Sequence, residues 1–325
     1  MQGRGFVARR WTTMLGRVAT IAACVLVLQQ CSRPTGSGPT GPSGGGNQPP
    51  TTPTPNPTPP GPQTFVGAGD IALCGGQQEA TARLLDGIGG TVFTLGDNAY
   101  MSGTAAEFRD CYNPSWGRHR NRTFPSPGNH DYGQINAQAY FDYFGANAGP
   151  ARLGYYSYNV GGWHILSLNS DATAWNATQQ AWIRQDVAAN ASTKCMLAYW
   201  HYPAFSSGPN RKEPQGRDMF RLMYELNVDL VLTGHDHTYE RFAPQDPDGR
   251  LDPARGIRQF VVGTGGMVPL YEFISVQPNS EAKSDRNSGA GHGVLKLTLN
   301  ADSYGWEFLT VGRGTFDSGG PAACH

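Results

Sequence analysis

Five short polar clusters constrain this chain more than any other feature. They are Gly69-Asp70, Gly96-Asp97-Asn98-Ala99-Tyr100, Gly128-Asn129-His130-Asp131, His201, and Gly234-His235-Asp236-His237. Four of them end or follow an apolar run that reads as a strand, at residues 64–69, 91–95, 195–200 and 228–233. The other follows a shorter extended piece at 123–127. In open α/β sheets, ligands collect at the carboxyl ends of the strands, so these loops are expected to converge on one cleft. Glycine ahead of a cluster permits the sharp turn that brings the next side chain back over the sheet edge. The side chains offered are carboxylate, amide, phenol and imidazole, the oxygen and nitrogen donors of hard or borderline metal ions. No cluster carries this alone. A single Gly-Asp is commonly a turn, Gly-His-Asp-His also reads as a solvated turn, Asn129-His130 as an Asx turn, and Tyr100 as a core aromatic. Their joint occurrence at successive strand ends is what points to a metal cleft.

The remaining pattern fits one α/β domain over residues 64–325. Helices are expected at 77–86, 136–144, 178–189 and 215–226, the third with Trp182, Ile183 and Val187 inward. Strands 155–160 and 163–169 form a hairpin turning at Gly161-Gly162. Strand 259–263 and a closing pair at 293–299 and 304–311 follow. The early strand–helix–strand order predicts an α/β core, and the later hairpins predict a second, more antiparallel sheet packed on the first.

Upstream of this domain the sequence reads as an address and a tether. Residues 1–33 hold five Arg and no acid, and 18–28 is an uncharged, mostly apolar stretch of signal-peptide length. Residues 1–31 are therefore expected to be a signal peptide. Cys31 stands where a lipoprotein is lipidated, and Cys24 is a second candidate, so secretion and lipid tethering to the outer face of the membrane both stay open. Residues 32–63 are a linker, with 27 of 32 being Pro, Gly, Ser or Thr. The chain has 25 basic and 25 acidic residues. Residues 34–325 therefore carry 20 and 25, a net charge of −5, which excludes nucleic acid as a stable partner. Four cysteines lie beyond the leader, an even number that suits an oxidising compartment. Three pairings are possible. Cys74–Cys111 and Cys195–Cys324 are preferred, because Cys74 and Cys111 each follow a strand end whereas Cys195 opens a strand at the opposite edge.

The ordered clusters resemble those of the calcineurin-like metallophosphoesterases and, within them, the purple acid phosphatases. The specific marks are Tyr100 three residues after Asp97, and the run Gly234-His235-Asp236-His237-Thr238-Tyr239-Glu240-Arg241. The resemblance covers essentially all of 64–325. It implies a two-sheet β-sandwich flanked by helices in αββα layers, with the metal site at the C-terminal edge of the strands. It implies two metal ions: iron(III) held by Asp70, Asp97, Tyr100 and His237, and a divalent ion (Zn, Fe or Mn) held by Asp97, Asn129, His201 and His235. Asp97 bridges both. Asn129, His130 and Arg241 are candidates to touch substrate, with His130 off the metals, and Arg241 reads equally as the partner of a carboxylate that orients a ligand. The activity implied is hydrolysis of small phosphate monoesters by a metal-activated water or hydroxide. A phosphodiesterase or nucleotidase on the same centre is one alternative, and a surface-tethered binding module on an inactive scaffold is another. A phenolate at Tyr100 favours iron(III), since an anionic donor stabilises the higher charge, and implies a purple protein.

Departures from the family pattern are Ala72 for Gly, Asp131 where many members have Glu, and Ala198 for Val. The paired His that plant members carry after the His201 motif is absent, and Tyr202-Pro203-Ala204-Phe205-Ser206-Ser207 stands there instead. The linker replaces the N-terminal β-sandwich of plant members. Among other residues, His164 reads as structural, and His119 and His292 as surface residues. Arg211 and Lys212 are placed to steer anions, and Gly263-Thr264-Gly265-Gly266 to line the cleft. Asp317-Ser318-Gly319-Gly320-Pro321 mimics a serine-protease nucleophile segment but lacks the preceding Gly and a suitably placed His motif.

Overall fold

The computed structural model describes residues 61–210 and 213–325. The expected signal peptide, nearly all of the linker, and Arg211-Lys212 lie outside the described residues. The element order is β1 (Gln63–Ala68), α1 (Gln78–Asp86), β2 (Thr91–Leu95), α2 (Ala105–Glu107), β3 (Thr123–Ser126), α3 (Gln138–Phe144), β4 (Tyr156–Val160), β5 (Trp163–Ser167), α4 (Ala177–Ala189), β6 (Cys195–Tyr199), α5 (Pro214–Glu225), β7 (Leu230–Thr233), β8 (Tyr239–Phe242), β9 (Arg258–Val262), β10 (Ser280–Ser284), β11 (Gly293–Leu299), β12 (Ser303–Thr310) and β13 (Gly314–Ala323).

These strands make two sheets, ordered β13-β12-β11-β1-β2-β3 and β10-β8-β9-β7-β6-β5-β4. Alternation along the strands divides the apolar residues between two layers. Leu197 and Tyr199 of β6 face the first sheet, where Phe65 and Phe93 pack 4.7 Å apart and each lies 6.1 Å from the Tyr199 ring. Met196, Ala198 and Trp200 face the other way, onto Ile183 and Val187 of α4 and Met219, Phe220 and Met223 of α5. Ala82 and Leu85 of α1 cover the outer face of the first sheet with Tyr140 and Phe144 of α3. The result is the expected αββα layering. Truncating a fully buried ring such as Phe93 to Ala costs about 3–5 kcal/mol.

Local chemistry sets the helix boundaries. The Asn176 side chain accepts the amides of Thr178 and Gln179 and starts α4, while Pro214 opens α5. α3 begins two residues later than expected, because Asn136 and Ala137 take positive φ of 55° and 49°. Trp182 is only partly buried, and Gln179 takes the inward position beside Ile183 and Val187.

One expectation about the sheets is corrected. The closing pair, β11 and β12, does not build the second sheet. β11 pairs antiparallel with β1, Phe65 opposite Leu297, and so fills the edge of the first sheet that β2 leaves free. The second sheet comes from the middle of the chain, and its centre, β5-β6-β7-β9, is parallel. Both preferred disulfides are present: Cys74–Cys111, and Cys195–Cys324, which ties the C-terminal end of the chain to the start of β6. Among the described residues no helix is long and apolar enough to cross a membrane.

Candidate metal centre

Beyond β1 and β2 the two loops continue side by side. Asp70, Ile71 and Ala72 donate their amides to the carbonyls of Gly96, Asp97 and Asn98 at 3.1, 3.0 and 3.2 Å. Asp70, Asp97 and His235 each turn through positive φ, at 60°, 50° and 69°, which swings the side chain over the sheet edge. Glycine is required where the loops close on one another. A Cβ on Gly96 would lie 2.5 Å from His201 Nδ1, and one on Gly128 would lie 2.2 Å from Asp97 Oδ1.

All seven expected donors are thereby brought together. Tyr100 Oη lies 2.8 Å from Asp70 Oδ1, 2.9 Å from Asp97 Oδ2 and 3.2 Å from His237 Nε2. His237 Nε2 is 3.4 Å from Asp70 Oδ1. On the other side of Asp97, His201 Nε2 is 3.3 Å from Asp97 Oδ2, 3.0 Å from Asn129 Oδ1 and 3.1 Å from His235 Nδ1. Ligand atoms of Asp97, His201 and His235 all lie within 4.8 Å of one another. Asp97 touches both groups, as a bridging residue must.

Backbone carbonyls orient two of the imidazoles. His201 Nδ1 donates to Leu95 O at 2.7 Å, and His237 Nδ1 to Pro269 O at 3.3 Å. Each ring therefore turns Nε2 inward. His201 Nε2 then faces two acceptor oxygens and a second ring nitrogen. Such an array of lone pairs is stable only around a shared proton or a cation, so the donor set fits metal ions. With protons alone the field is lopsided. Burial works against the Asp97 charge, but His201, His130 and His235 hold the carboxylate well below its usual range. Burial opposes the charge on His201 too, yet Asp97 raises that imidazole to about 9. His235 is pushed down to about 3, by burial and then by His201. Burial, with Asp70 and Asp97, keeps the Tyr100 phenol protonated.

His130 stands off this array. Its Nε2 is 3.9 Å from Asp97 Oδ2, its ring centre is 4.5 Å from that of Tyr100, and it keeps about a third of its side chain in solvent (31%). Asp131 carries more than a packing role. It is buried and accepts the amides of Gly128 (2.9 Å) and Asn98 (3.2 Å) and the Asn98 side chain (2.9 Å), locking two ligand loops together. Burial pushes its carboxyl up to about 7, with the Asp97 charge adding to the effect.

Of the two readings of Arg241, the structure shows the pairing with carboxylates, and these are not metal ligands. Arg241 lies on β8, donates to Asp317 (Nε–Oδ2 2.8 Å) and Glu281, and its guanidinium carbon sits 4.8 Å from the Trp306 ring centre. Asp317 also accepts from the Tyr239 hydroxyl (2.6 Å) and Trp306 Nε1 (3.2 Å), so the protease-like segment is an edge strand clamped by its Asp. His164 is structural, held between Asp186 (2.6 Å) and Asn159 (2.9 Å). His119 and His292 are half-buried rather than surface residues: His119 pairs with Asp86 at 3.0 Å, and His292 bonds to Met267 O at 2.9 Å. The Gly263–Gly266 segment lies against the Asp70 loop, with Gly265 N bonded to Gly69 O at 2.8 Å.

Three residues near the centre were given no role in the site by the sequence reading. Tyr271 stacks on His237 with ring centres 4.0 Å apart. Tyr202 packs edge-on against His235 at 4.7 Å. Glu107 organises the loop after Tyr100. Only Glu107 had a local signal, since Thr104-Ala105-Ala106-Glu107 is a capping box.

The calcineurin-like phosphoesterase family model matches residues 64–239, more than half of the chain. Purple acid phosphatase 21 of Arabidopsis thaliana is 26% identical over 268 residues, which cover 74% of this chain and 59% of that protein. Probable purple acid phosphatase 20 of the same plant is 30% identical over 164 residues, covering 47% and 37%. The chain thus spans less than two thirds of the length of these relatives. A purple acid phosphatase from yellow lupin (Lupinus luteus) seeds shares the fold, with a TM-score of 0.61 over 79% of this chain and 53% of that one at 20% identity. The spacing of donors around Asp97 and the family match over the first two thirds of the domain lead to one assignment: the chain belongs to the calcineurin-like phosphoesterase family, and the relatives it matches are purple acid phosphatases.

Proposed function

We propose that this chain is an exported phosphomonoesterase acting at a two-metal centre on small phosphate esters. The observation that carries the reading is the placement of Asp97 between two donor groups, with the Tyr100 phenol oxygen 2.9 Å from its Oδ2 on one side and His201 Nε2 3.3 Å from it on the other. Asp70, Asp97, Tyr100 and His237 hold one cation, iron(III), and Asp97, Asn129, His201 and His235 hold a divalent one. When bound, a cation pair supplies Lewis acidity and makes hydroxide available near neutral pH.

The chain's own residues do the rest. The Asn129 side chain lies at the cleft beside His201 and is placed to meet a phosphoryl oxygen. His130 commits Nδ1 to the Met101 carbonyl at 2.6 Å, so its Nε2 handles the proton of the departing alcohol. The leader, the tether and the two disulfides support export, by free secretion or on a lipid anchor. The net charge of −5 beyond the leader supports small esters over nucleic acid.

The test is hydrolysis of a chromogenic phosphomonoester against the matching diester, in one preparation of known metal content. Faster monoester turnover is expected. Faster diester turnover moves the substrate to nucleotides or other diesters. No turnover of either with two metals bound leaves a tethered binding module.

A further inference from the structure

The loop that follows Tyr100 is organised around one carboxylate. Glu107 Oε1 accepts the Met101 amide at 2.5 Å. Its Oε2 accepts the amides of Ser102 (3.2 Å) and Thr104 (2.7 Å) and the Thr104 hydroxyl (3.0 Å). The Thr104 hydroxyl in turn lies 3.2 Å from the Glu107 amide, closing the capping box. In a capping box the glutamate takes the amide of the N-cap residue. Here it also gathers two amides from the preceding loop.

Met101 links this carboxylate to the cleft. Its amide points to Glu107, and its carbonyl accepts from His130 Nδ1 at 2.6 Å. A carbonyl can only accept, so Nδ1 carries the proton and Nε2 is the nitrogen presented to a ligand. The loop has little freedom to drift. A Cβ on Gly103 would lie 2.7 Å from Asp131 Cα, and one on Gly133 would lie 2.9 Å from Ser102 Cα, so the Met101 and His130 loops pack backbone against backbone. Beyond Glu107 the chain is anchored by buried Phe108 and by the Cys74–Cys111 bond.

We propose that Glu107 is a positioning residue for His130: through the Met101 amide it fixes the carbonyl that selects the Nδ1–H tautomer and aims Nε2 at the leaving oxygen of the ester. The kinetic half of this rests on the proposed hydrolysis, and the tautomer half does not. In the step concerned, a water oxygen forms a bond to phosphorus and the P–O bond to the alcohol breaks. The reacting ring carries both protons, Nδ1–H on the Met101 carbonyl and Nε2–H towards the ester. The Nε2 proton passes to the departing oxygen and leaves the neutral Nδ1–H tautomer, and the proton lost by the water returns to Nε2.

The test uses the metal-loaded full chain and the variants E107A, E107Q, H130A and E107A/H130A. An alkyl phosphate, whose leaving oxygen needs a proton, is compared with a nitrophenyl phosphate, whose leaving oxygen does not. E107A is expected to lower kcat on the alkyl ester about tenfold and on the nitrophenyl ester much less, with KM little changed. E107Q keeps an acceptor oxygen for the Met101 amide but turns its NH2 onto the Ser102 and Thr104 amides, so it restores part of the loss. In the H130A background E107A adds nothing. An equal loss on both esters, or a further loss in H130A, overturns the proposal. Long-range 15N–1H imidazole spectra, with His130 assigned through H130A, test it without turnover. Wild type and E107Q are expected to show Nδ1–H at His130, and E107A a mixture of tautomers. An unchanged tautomer in E107A, or a His130 ring without Nδ1–H in wild type or E107Q, overturns the proposal. If wild type hydrolyses neither ester, the functional reading fails, and these spectra still decide the role of Glu107.

Discussion

The phenol oxygen of Tyr100 lies 2.8 Å from Oδ1 of Asp70, a residue thirty positions earlier on the neighbouring loop. The contact exists because the loops after β1 and β2 run in parallel beyond the sheet, with Tyr100 N bonded to Ala72 O at 2.9 Å. It places an ionisable oxygen donor among carboxylate and imidazole ligands, in a site where burial, with the Asp70 and Asp97 charges, keeps the phenol protonated. A trivalent cation reverses that preference, because its charge outweighs the loss of the proton.

The Tyr100→Phe variant should therefore lose the visible absorption of the iron-loaded protein while keeping its fold. Turnover should fall at least tenfold, as expected for loss of a metal ligand or its support. Absorption spectra at equal iron content decide the matter, and a variant that keeps the band removes Tyr100 from the ligand set.

In the metal-free protein His201 and His235 should give stability contributions of opposite pH dependence on either side of pH 6.5, the His235 limb being offset below about pH 7 by Asp131. His201 binds its proton more tightly in the fold, at about 9 against 6.5, so its contribution is whole below pH 6.5 and is lost as pH rises through 9. His235 behaves oppositely. Its folded value is about 3, so its contribution is whole above pH 6.5 and is lost as pH falls towards 3. Metal binding requires neutral imidazole and strengthens with pH, so the loaded protein should not lose Tm between pH 6.5 and 9. Melting curves with and without chelator test both limbs. A chelated protein whose Tm climbs through that range contradicts the assigned fields.

Arg241→Ala should destabilise the fold by about 1–3 kcal/mol and leave kcat/KM unchanged. The pair with Asp317 is only about a tenth exposed on each side, so removing the cation leaves a largely buried carboxylate still served by the Tyr239 hydroxyl and Trp306 Nε1. Denaturant unfolding read beside steady-state rates separates this from a substrate contact, which would raise KM at unchanged stability.

Cys324→Ser should lower stability by roughly 2–5 kcal/mol, since Cys195–Cys324 closes a loop with a sequence separation of 129. The bond lies away from the metal loops. Turnover at 25 °C should survive while Tm falls, and a loss of activity without a loss of Tm contradicts this.

Much of the site was legible because its signals are local. Each donor follows a strand within two to five residues, and runs such as Thr91–Leu95, short, β-branched and aromatic and bounded by glycine, mark strands locally. The missed features depend on distant partners. β13, with Asp317-Ser318-Gly319-Gly320-Pro321, is polar, mostly exposed and carries a proline, so only pairing with β12 makes it a strand. β8 and β10 are short and mixed in polarity, and they form as each other's neighbours. Arg241 looked like a site residue by its place four after His237. Its true surroundings, Asp317 and Trp306, come from the far end of the chain. Tyr271 reaches His237 from a loop 34 residues away with no motif to mark it. Asp131 stood out in sequence only as a departure from the family pattern, because nothing nearby announces that it holds Asn98.

The most direct test of the two-metal account is metal content measured beside turnover in wild type and Asp97→Ala. The account predicts two ions per chain and monoester hydrolysis in wild type, abolished by chelation and restored by iron with a divalent ion, and in the variant fewer than one ion per chain and no hydrolysis. Full turnover by the variant, or by a wild-type preparation stripped of metal, would contradict it.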